Sequence, residues 1–292
     1  MEQDILTRIQ NNYQTFSKGQ RKIADYVLQH YDKAAFMTAY KLGKMVSTSE
    51  STVVRFATEL DCEGYANFQK ELQEIIRIKL TAVQRMEVAT SQIGKQEILK
   101  TVMSSDLDKI KQTMEEIDTE VFNQAVETLL GARKIYILGV RSSAALARFL
   151  GFYMNLLFEN TCLVDATSVS EVFEQIMRID SRDVLLAISF PRYSKRTVKA
   201  VQYAKSRGSK IVAITDSASS PINQYATHQL TARSDMASFV DSLVAPLSVI
   251  NALIVAIGMR KQEEVSQTFE RLEHIWDEYE VYEKYEERPE GE

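Results

Sequence analysis

The chain has 292 residues, 45% of them hydrophobic, enough to bury a substantial core and, by length, to form two domains. Its formal charge of −5 sits in the tail: residues 263–292 hold 12 Asp/Glu and 3 Lys/Arg, net −9, which leaves +4 on the rest and weakens, without proving DNA binding, the objection that the chain is too acidic for it. The two cysteines, Cys62 and Cys162, are far apart and lack metal-ligand spacing, the opening MEQDILTRIQ has no signal-peptide core, and no uninterrupted apolar run reaches membrane-spanning length; a disulfide framework, a metal site, secretion and a membrane partner are all unexpected, and a cytoplasmic location follows.

Prolines occur only at Pro191, Pro221, Pro246 and Pro289, so helix periodicity can run undisturbed through the first 190 residues. Apolar residues at i, i+3, i+4 spacing predict short helices near 3–12, 17–31, 38–46, 49–60 and 65–86, as with Ile23, Tyr26, Val27 and His30 with Tyr31. These form an all-helical domain over 1–82. Residues 1–80 carry 11 basic and 10 acidic side chains, so charge alone leaves open both a DNA-binding and a merely solvated bundle. The stretch 83–94, QRMEVATSQIG at its core, loses periodicity and reads as a linker.

A second domain is expected over 95–282. After a helical stretch to Leu130, Lys134–Gly139 reads as a strand followed by a helix from Ser142 to Phe158. The pattern recurs with Cys162-Leu-Val before Ser168–Ile179, Val184–Ser189 before Lys195–Arg207, and Ile211–Thr215 before a loop at Pro221. Alternating strands and helices imply a parallel sheet flanked by helices. An apolar helix over Ser242–Met259 closes the domain. A helical tail from Val265 to Tyr282 places Phe269, Leu272, Ile275, Trp276 and Tyr279 on one stripe, to pack either on its own domain or on another subunit; 283–292 is expected to be acidic and disordered.

Two helices at Thr38–Val46 and Ser49–Leu60 are separated by a tight turn. In the second, Val53, Phe56, Ala57 and Leu60 share one face while Ser51, Thr52, Arg55 and Glu59 face away. Small polar groups near a helix N-terminus can enter a major groove, donate to phosphates and let an arginine reach a guanine edge. Ser47 with Glu50, or Ser49, supplies the N-cap, and Gly43 allows close helix packing. The bland alternatives are a plain α-hairpin and an Arg55 paired with Glu59 one turn on. The string LGKMVSTSESTVVRFATELDCEGYANFQKEL resembles the helix-turn-helix of RpiR-type regulators, with TVVRF in the second helix and Gly64-Tyr65-Ala66-Asn67-Phe68 after it. The resemblance implies binding to a double-stranded DNA operator, with Ser49, Ser51, Thr52 and Arg55 facing the groove and Lys44 and Lys70 contacting phosphates.

Residues 120–262 resemble the SIS (sugar isomerase) domain that usually accompanies this helix-turn-helix. Two loops carry the likeness: Gly139-Val-Arg-Ser142-Ser143 after the first strand, and Ser189-Phe-Pro-Arg-Tyr-Ser194-Lys-Arg-Thr197 after the third. Phosphate binds well where a strand ends, a helix begins and hydroxyls converge. Ser142, Ser143, Ser189, Ser194 and Thr197 are therefore the expected contacts of a phosphorylated sugar, with Arg141 and Arg192 as charge partners. Arg141 replaces a glycine that many relatives keep, and the second loop is longer than the simple family pattern. Ser142 and Ser194 can equally be helix caps.

An isomerase on the same fold is the rival reading. It needs a general base, for which His228, Glu171 and Glu174 are the candidates, although a lone histidine or a helix-surface glutamate usually has a structural or solvated role. An appended helix-turn-helix favours a regulator without catalytic residues, metal or cofactor. One such head per chain implies a homodimer or homotetramer spanning two half-sites.

Overall fold

Each of the first helices begins where a short polar side chain accepts the backbone N–H three residues on, and these caps punctuate the head more sharply than hydrophobic periodicity does. The computed structural model describes residues 4–79, 81–93, 97–165, 168–235 and 240–283. It divides into two compact units, Met1–Lys111 with Pro191–Tyr193 and Ser234–Val244, and Gln112–Phe190 with Ser194–Arg233 and Ala245–Glu292.

The first unit holds α1 (Ile5–Asn12), α2 (Lys18–Ala34), α3 (Ala39–Met45), α4 (Glu50–Glu59), α5 (Tyr65–Lys79), α6 (Ala82–Ile93) and most of α7 (Ile98–Glu116). Asp4, Ser17, Thr38 and Ser49 cap α1 to α4, Ser17 within a reciprocal box with Gln20. Helix α2 bends at His30, close to the end predicted for it. The core gathers Ile9, Ile23, Leu42, Leu60 and Leu72 around Phe56, whose ring lies 5.0 Å from Phe16 and 5.7 Å from Phe68. Tyr65 donates to the Met37 carbonyl at 2.7 Å, and burial pushes its phenol up to about 12.

One expectation needs correction here. The predicted helix 65–86 is two helices, and the stretch read as an aperiodic linker is helical through Ile93. The cause is local: Gln84 N donates to Thr81 Oγ1 at 3.3 Å and Thr81 N donates to Gln84 Oε1 at 3.0 Å, a capping box that starts a new helix. Ala82, Gln84, Arg85, Met86 and Glu87 then supply propensity without needing an apolar stripe.

The second unit contains α8 (Thr119–Leu130), β1 (Ile135–Gly139), α9 (Ser143–Leu157), β2 (Thr161–Leu163), α10 (Val169–Ile176), β3 (Val184–Ile188), α11 (Lys195–Ser206), β4 (Lys210–Thr215), β5 (His228–Thr231), and, apart from its first residue, α12 (Val244–Arg260), then α13 (Gln262–Glu278). All strand pairs are parallel, in the order β2-β1-β3-β4-β5. Tyr136, Leu138, Leu185, Ala187, Ile211 and Ala213 face one side, where Val172, Ile176, Ala200, Val201 and Ala204 of α10 and α11 cover them. The alternate residues, Ile137, Leu186 and Val212 among them, are equally buried, as expected of a sheet covered on both faces. At the N-terminal edge Arg133 grips the fully buried Asp183 carboxylate through two bonds of 2.9 and 2.7 Å.

Helices α12 and α13 meet at a 98° bend, and no single helix among the described residues is long and apolar enough to cross a membrane. The tail helix stops at Glu278, short of the predicted Tyr282, with Glu280 in the left-handed region at φ 51°. None of its residues is buried, but Leu272 and Trp276 of the aromatic stripe are half-buried, and the helix runs against α9 of the same unit. The tail predicted to be disordered lies, from residue 284 onward, outside the described residues.

Candidate functional sites

The turn between α3 and α4 explains why the second helix presents its first residues outward. A side chain on Gly43 would stand 3.0 Å from the Thr48 carbonyl, so α3 can approach the start of α4 only because that side chain is missing. Ser49, not Ser47, is the cap: it accepts from Thr52 N at 3.2 Å, while Ser47 takes φ 52° in the turn. Ser49 Oγ lies 2.9 Å from Ser51 Oγ and 2.8 Å from Thr52 Oγ1, so three of the predicted groove residues form one hydroxyl cluster at the positive end of α4.

Arg55 follows one turn later, fully on the exposed face, with Nε 3.4 Å from the Ser51 carbonyl. Glu59, its alternative partner, instead accepts from Gln20. Lys44 is exposed with its ammonium 4.8 Å from the Tyr40 ring centre. Lys70 is exposed on α5, and no contact among the described residues brings it to the cluster. Gly19 was not singled out by the sequence reasoning. A side chain there would lie 3.2 Å from Thr48 Oγ1 and 3.4 Å from Thr52, so the first turn of α2 leans on the start of α4.

In the second unit the strand order reverses at β1, placing β2 on one side and β3 on the other. Crevices for ligands form at such a switch point, beyond the carboxyl ends of the strands. Gly139 pairs with Ile188, so the two predicted loops leave the sheet side by side. A side chain on Gly139 would come within 2.9 Å of Ala147 Cβ and closer still to the Ser143 carbonyl, which lets α9 begin hard against the strand end.

The two loops solve their helix starts differently. Arg141 takes φ 59°, the left-handed conformation that glycine adopts without strain. Ser142 consequently enters α9 with helical angles and makes no side-chain cap, so its exposed hydroxyl is not used as one; Ser143 is buried. Ser194, by contrast, caps α11, accepting from Arg196 N at 3.2 Å. Three residues later Thr197 is fully buried and its hydroxyl has no hydrogen-bond partner among the described residues. Ser189 is buried at the end of β3, where its N–H donates to the Ile214 carbonyl at 3.1 Å. Arg192 is exposed, at φ 62°, within a segment that groups with the first unit, so it is not among the residues that the second unit assembles.

The residues considered for catalysis are elsewhere. His228 opens β5 at the opposite, N-terminal end of the strands, 2.9 Å from Thr128 Oγ1, and burial, helped by Lys210, holds its imidazole below the usual range. Glu171 completes a capping box with Ser168, and Glu174 is exposed on α10. Sequence reasoning overlooked Thr215, Asp216 and Ser220, a buried polar group at the end of β4; the string Thr-Asp-Ser-Ala-Ser-Ser-Pro after a strand was its signal.

Residues 3–77 match the family model described as a helix-turn-helix domain of the rpiR family, and residues 128–256 match the SIS domain. The HTH-type transcriptional regulator HexR of Escherichia coli is 26% identical over 282 residues, covering 92% of this chain and 93% of that one. An HTH-type transcriptional regulator of Haemophilus influenzae is likewise 26% identical, covering 90% and 92%. The sugar isomerase domain of an RpiR transcription factor from Sphaerobacter thermophilus superposes with a TM-score of 0.58 at 28% identity, over 61% of this chain and 99% of that one. The fold also matches Vibrio vulnificus NanR complexed with ManNAc-6P, at TM-score 0.59 and 23% identity, over 94% and 98%.

Proposed function

We propose that the chain, which matches a helix-turn-helix model of the rpiR family and a SIS domain model, is a transcriptional regulator of that family, and that a phosphorylated sugar, bound where the β1 and β3 loops leave the sheet, controls its grip on operator DNA. The observation that carries the sensing half is Thr197: its buried hydroxyl, without a partner among the described residues, costs about 1–3 kcal/mol, a cost that a ligand oxygen reaching it would remove. Ser142 adds a hydroxyl that serves no cap, Ser143, Ser189 and Ser194 line the same strand-helix junctions, and Arg141 supplies positive charge. NanR, a relative in fold, is complexed with a sugar phosphate, which supports the class of ligand.

The DNA half rests on the hydroxyl cluster of Ser49, Ser51 and Thr52 with Arg55 beyond it, Lys44 and Lys70 steering by charge. Two heads are needed to span a half-site pair, so the active species is a homodimer or homotetramer. Residues 1–82 form the DNA head and 95–282 the sensing domain. Among the described residues, none of His30, His228 and His274 lies on a loop at the carboxyl ends of the strands.

The test is a melting series against glucose 6-phosphate, N-acetylmannosamine 6-phosphate and ribose 5-phosphate, with the unphosphorylated sugars beside them, followed by anisotropy on DNA selected from a random library. One phosphate stabilises the wild type but not Ser189→Ala and changes DNA affinity; a ligand with equal affinity for the DNA-competent and incompetent states cannot do so, and unchanged DNA binding under saturating ligand refutes the control.

A further inference from the structure

Thr215 ends β4 beside the loop that follows β3, and its bonds reach that loop and the segments that follow β4 and β5. Its hydroxyl donates to the Ser189 carbonyl at 2.6 Å and lies 2.8 Å from Ser220 Oγ and 3.2 Å from the Asp216 carboxylate. A hydroxyl carries one proton, so donating to Ser189 leaves Thr215 to accept from Ser220. All four residues are buried, Thr215 completely. The backbone completes the hub: Ser189 N–H goes to the Ile214 carbonyl at 3.1 Å, and the Thr215 carbonyl receives Ala232 N–H at 2.8 Å.

Ser189 is therefore held on both sides of its Cα, its N–H by a strand bond and its carbonyl by a side chain. The second hold falls where β3 gives way to the loop and the regular ladder stops, since the last paired residues of the two strands are Ile188 and Ile214. Without it the Ser189–Phe190 peptide could turn, and the hydroxyl and amides that follow would lose their aim. Packing alone does not need the oxygen, because valine fills the same volume.

We infer that Thr215 is a positioning residue for effector binding: its hydroxyl, through the Ser189 carbonyl, sets the loop that receives the phosphate. This rests on the sugar-phosphate reading above. The experiment is calorimetry on the full chain with glucose 6-phosphate, N-acetylmannosamine 6-phosphate, ribose 5-phosphate and inorganic phosphate, comparing wild type, Thr215→Val and Thr215→Ser, with DNA affinity measured without ligand. Thr215→Val should weaken the tightest of these binders by at least about tenfold, which is 1.4 kcal/mol, while Thr215→Ser restores it to within a few-fold and ligand-free DNA affinity is unchanged in both. Inorganic phosphate, where it binds, should lose in the same proportion, because the loop and not a sugar contact has moved.

Wild-type affinity in Thr215→Val, or equal losses in the valine and serine variants, overturns the assignment while leaving the sensing reading intact. Should the valine variant fail to fold, Thr215→Cys, with a weak donor in the same place, carries the same expectation and the same refutation. If no sugar phosphate binds even the wild type, it is the underlying reading that fails, and the inference falls with it.

Discussion

Replacing Thr197 with valine exchanges a buried, unpartnered hydroxyl for a methyl group of nearly the same shape. The free protein should then gain the desolvation cost it now carries, about 1–3 kcal/mol, and melt higher by about 2–4 °C for each kcal/mol in a domain of this size. The bound protein should lose a hydrogen bond to a charged phosphate, about 1.5–3 kcal/mol, or roughly 13-fold to 150-fold in affinity. At a ligand concentration 100 times the wild-type dissociation constant, wild type gains about 2.7 kcal/mol of stability, whereas the variant should gain only about 0.3–1.3 kcal/mol. Differential scanning fluorimetry with and without ligand reads both effects, and their opposite signs separate them from ordinary damage to packing. A variant less stable than wild type without ligand, or one with an undiminished ligand shift, refutes the reasoning.

Arg55→Ala should cost about 1–3 kcal/mol of sequence-specific DNA binding, read by anisotropy, with an unchanged melting curve because the side chain is exposed. Gly139→Ala drives a methyl into the Ser143 carbonyl and should destabilise the second unit by about 1–3 kcal/mol in urea while leaving the head's own DNA contacts intact. Arg141→Gly removes left-handed strain of about 1–2 kcal/mol and adds comparable chain entropy, so its stability should barely change; any loss of sugar-phosphate affinity by calorimetry then reports the guanidinium itself. Because the fold holds His228 neutral, the unfolded chain takes up a proton first as pH falls through 6.5; the stability from this group is complete above that value and drains below it, and a urea midpoint followed from pH 7.5 to 5.5 should slope less in His228→Asn.

Much of this architecture can be read from residue order. Runs such as Lys-Ile-Val-Ala-Ile-Thr are too short for helices and too branched to prefer them, and the capped starts at Ser17, Thr38 and Ser49 are visible in the letters. The helix over Ala82–Ile93 was hidden because periodicity was the signal sought, whereas Thr81 and Gln84 form its start by hydrogen bonding alone. The unequal roles of Ser142 and Ser194 could not be read at all. Which serine caps depends on the backbone just before it, and only the left-handed turn at Arg141 decides that Ser142 enters the helix uncapped. Nor do the letters show that Arg192 belongs to a segment that groups with the first unit, which only the contacts of the folded chain decide.

The first unit is not a single stretch of chain: its residues up to Lys111 are completed by Ser234–Val244. There Asp241 meets Arg85 at 2.6 Å with the arginine almost wholly enclosed, and Ser242 donates to Asp106 at 2.6 Å. During synthesis the ribosome therefore releases Arg85 long before the carboxylate that neutralises it, which lies 156 positions further on. Throughout that interval a guanidinium destined for the interior must stay hydrated. The head helices can form early from local contacts, but the unit they belong to closes only after the whole parallel sheet has been translated.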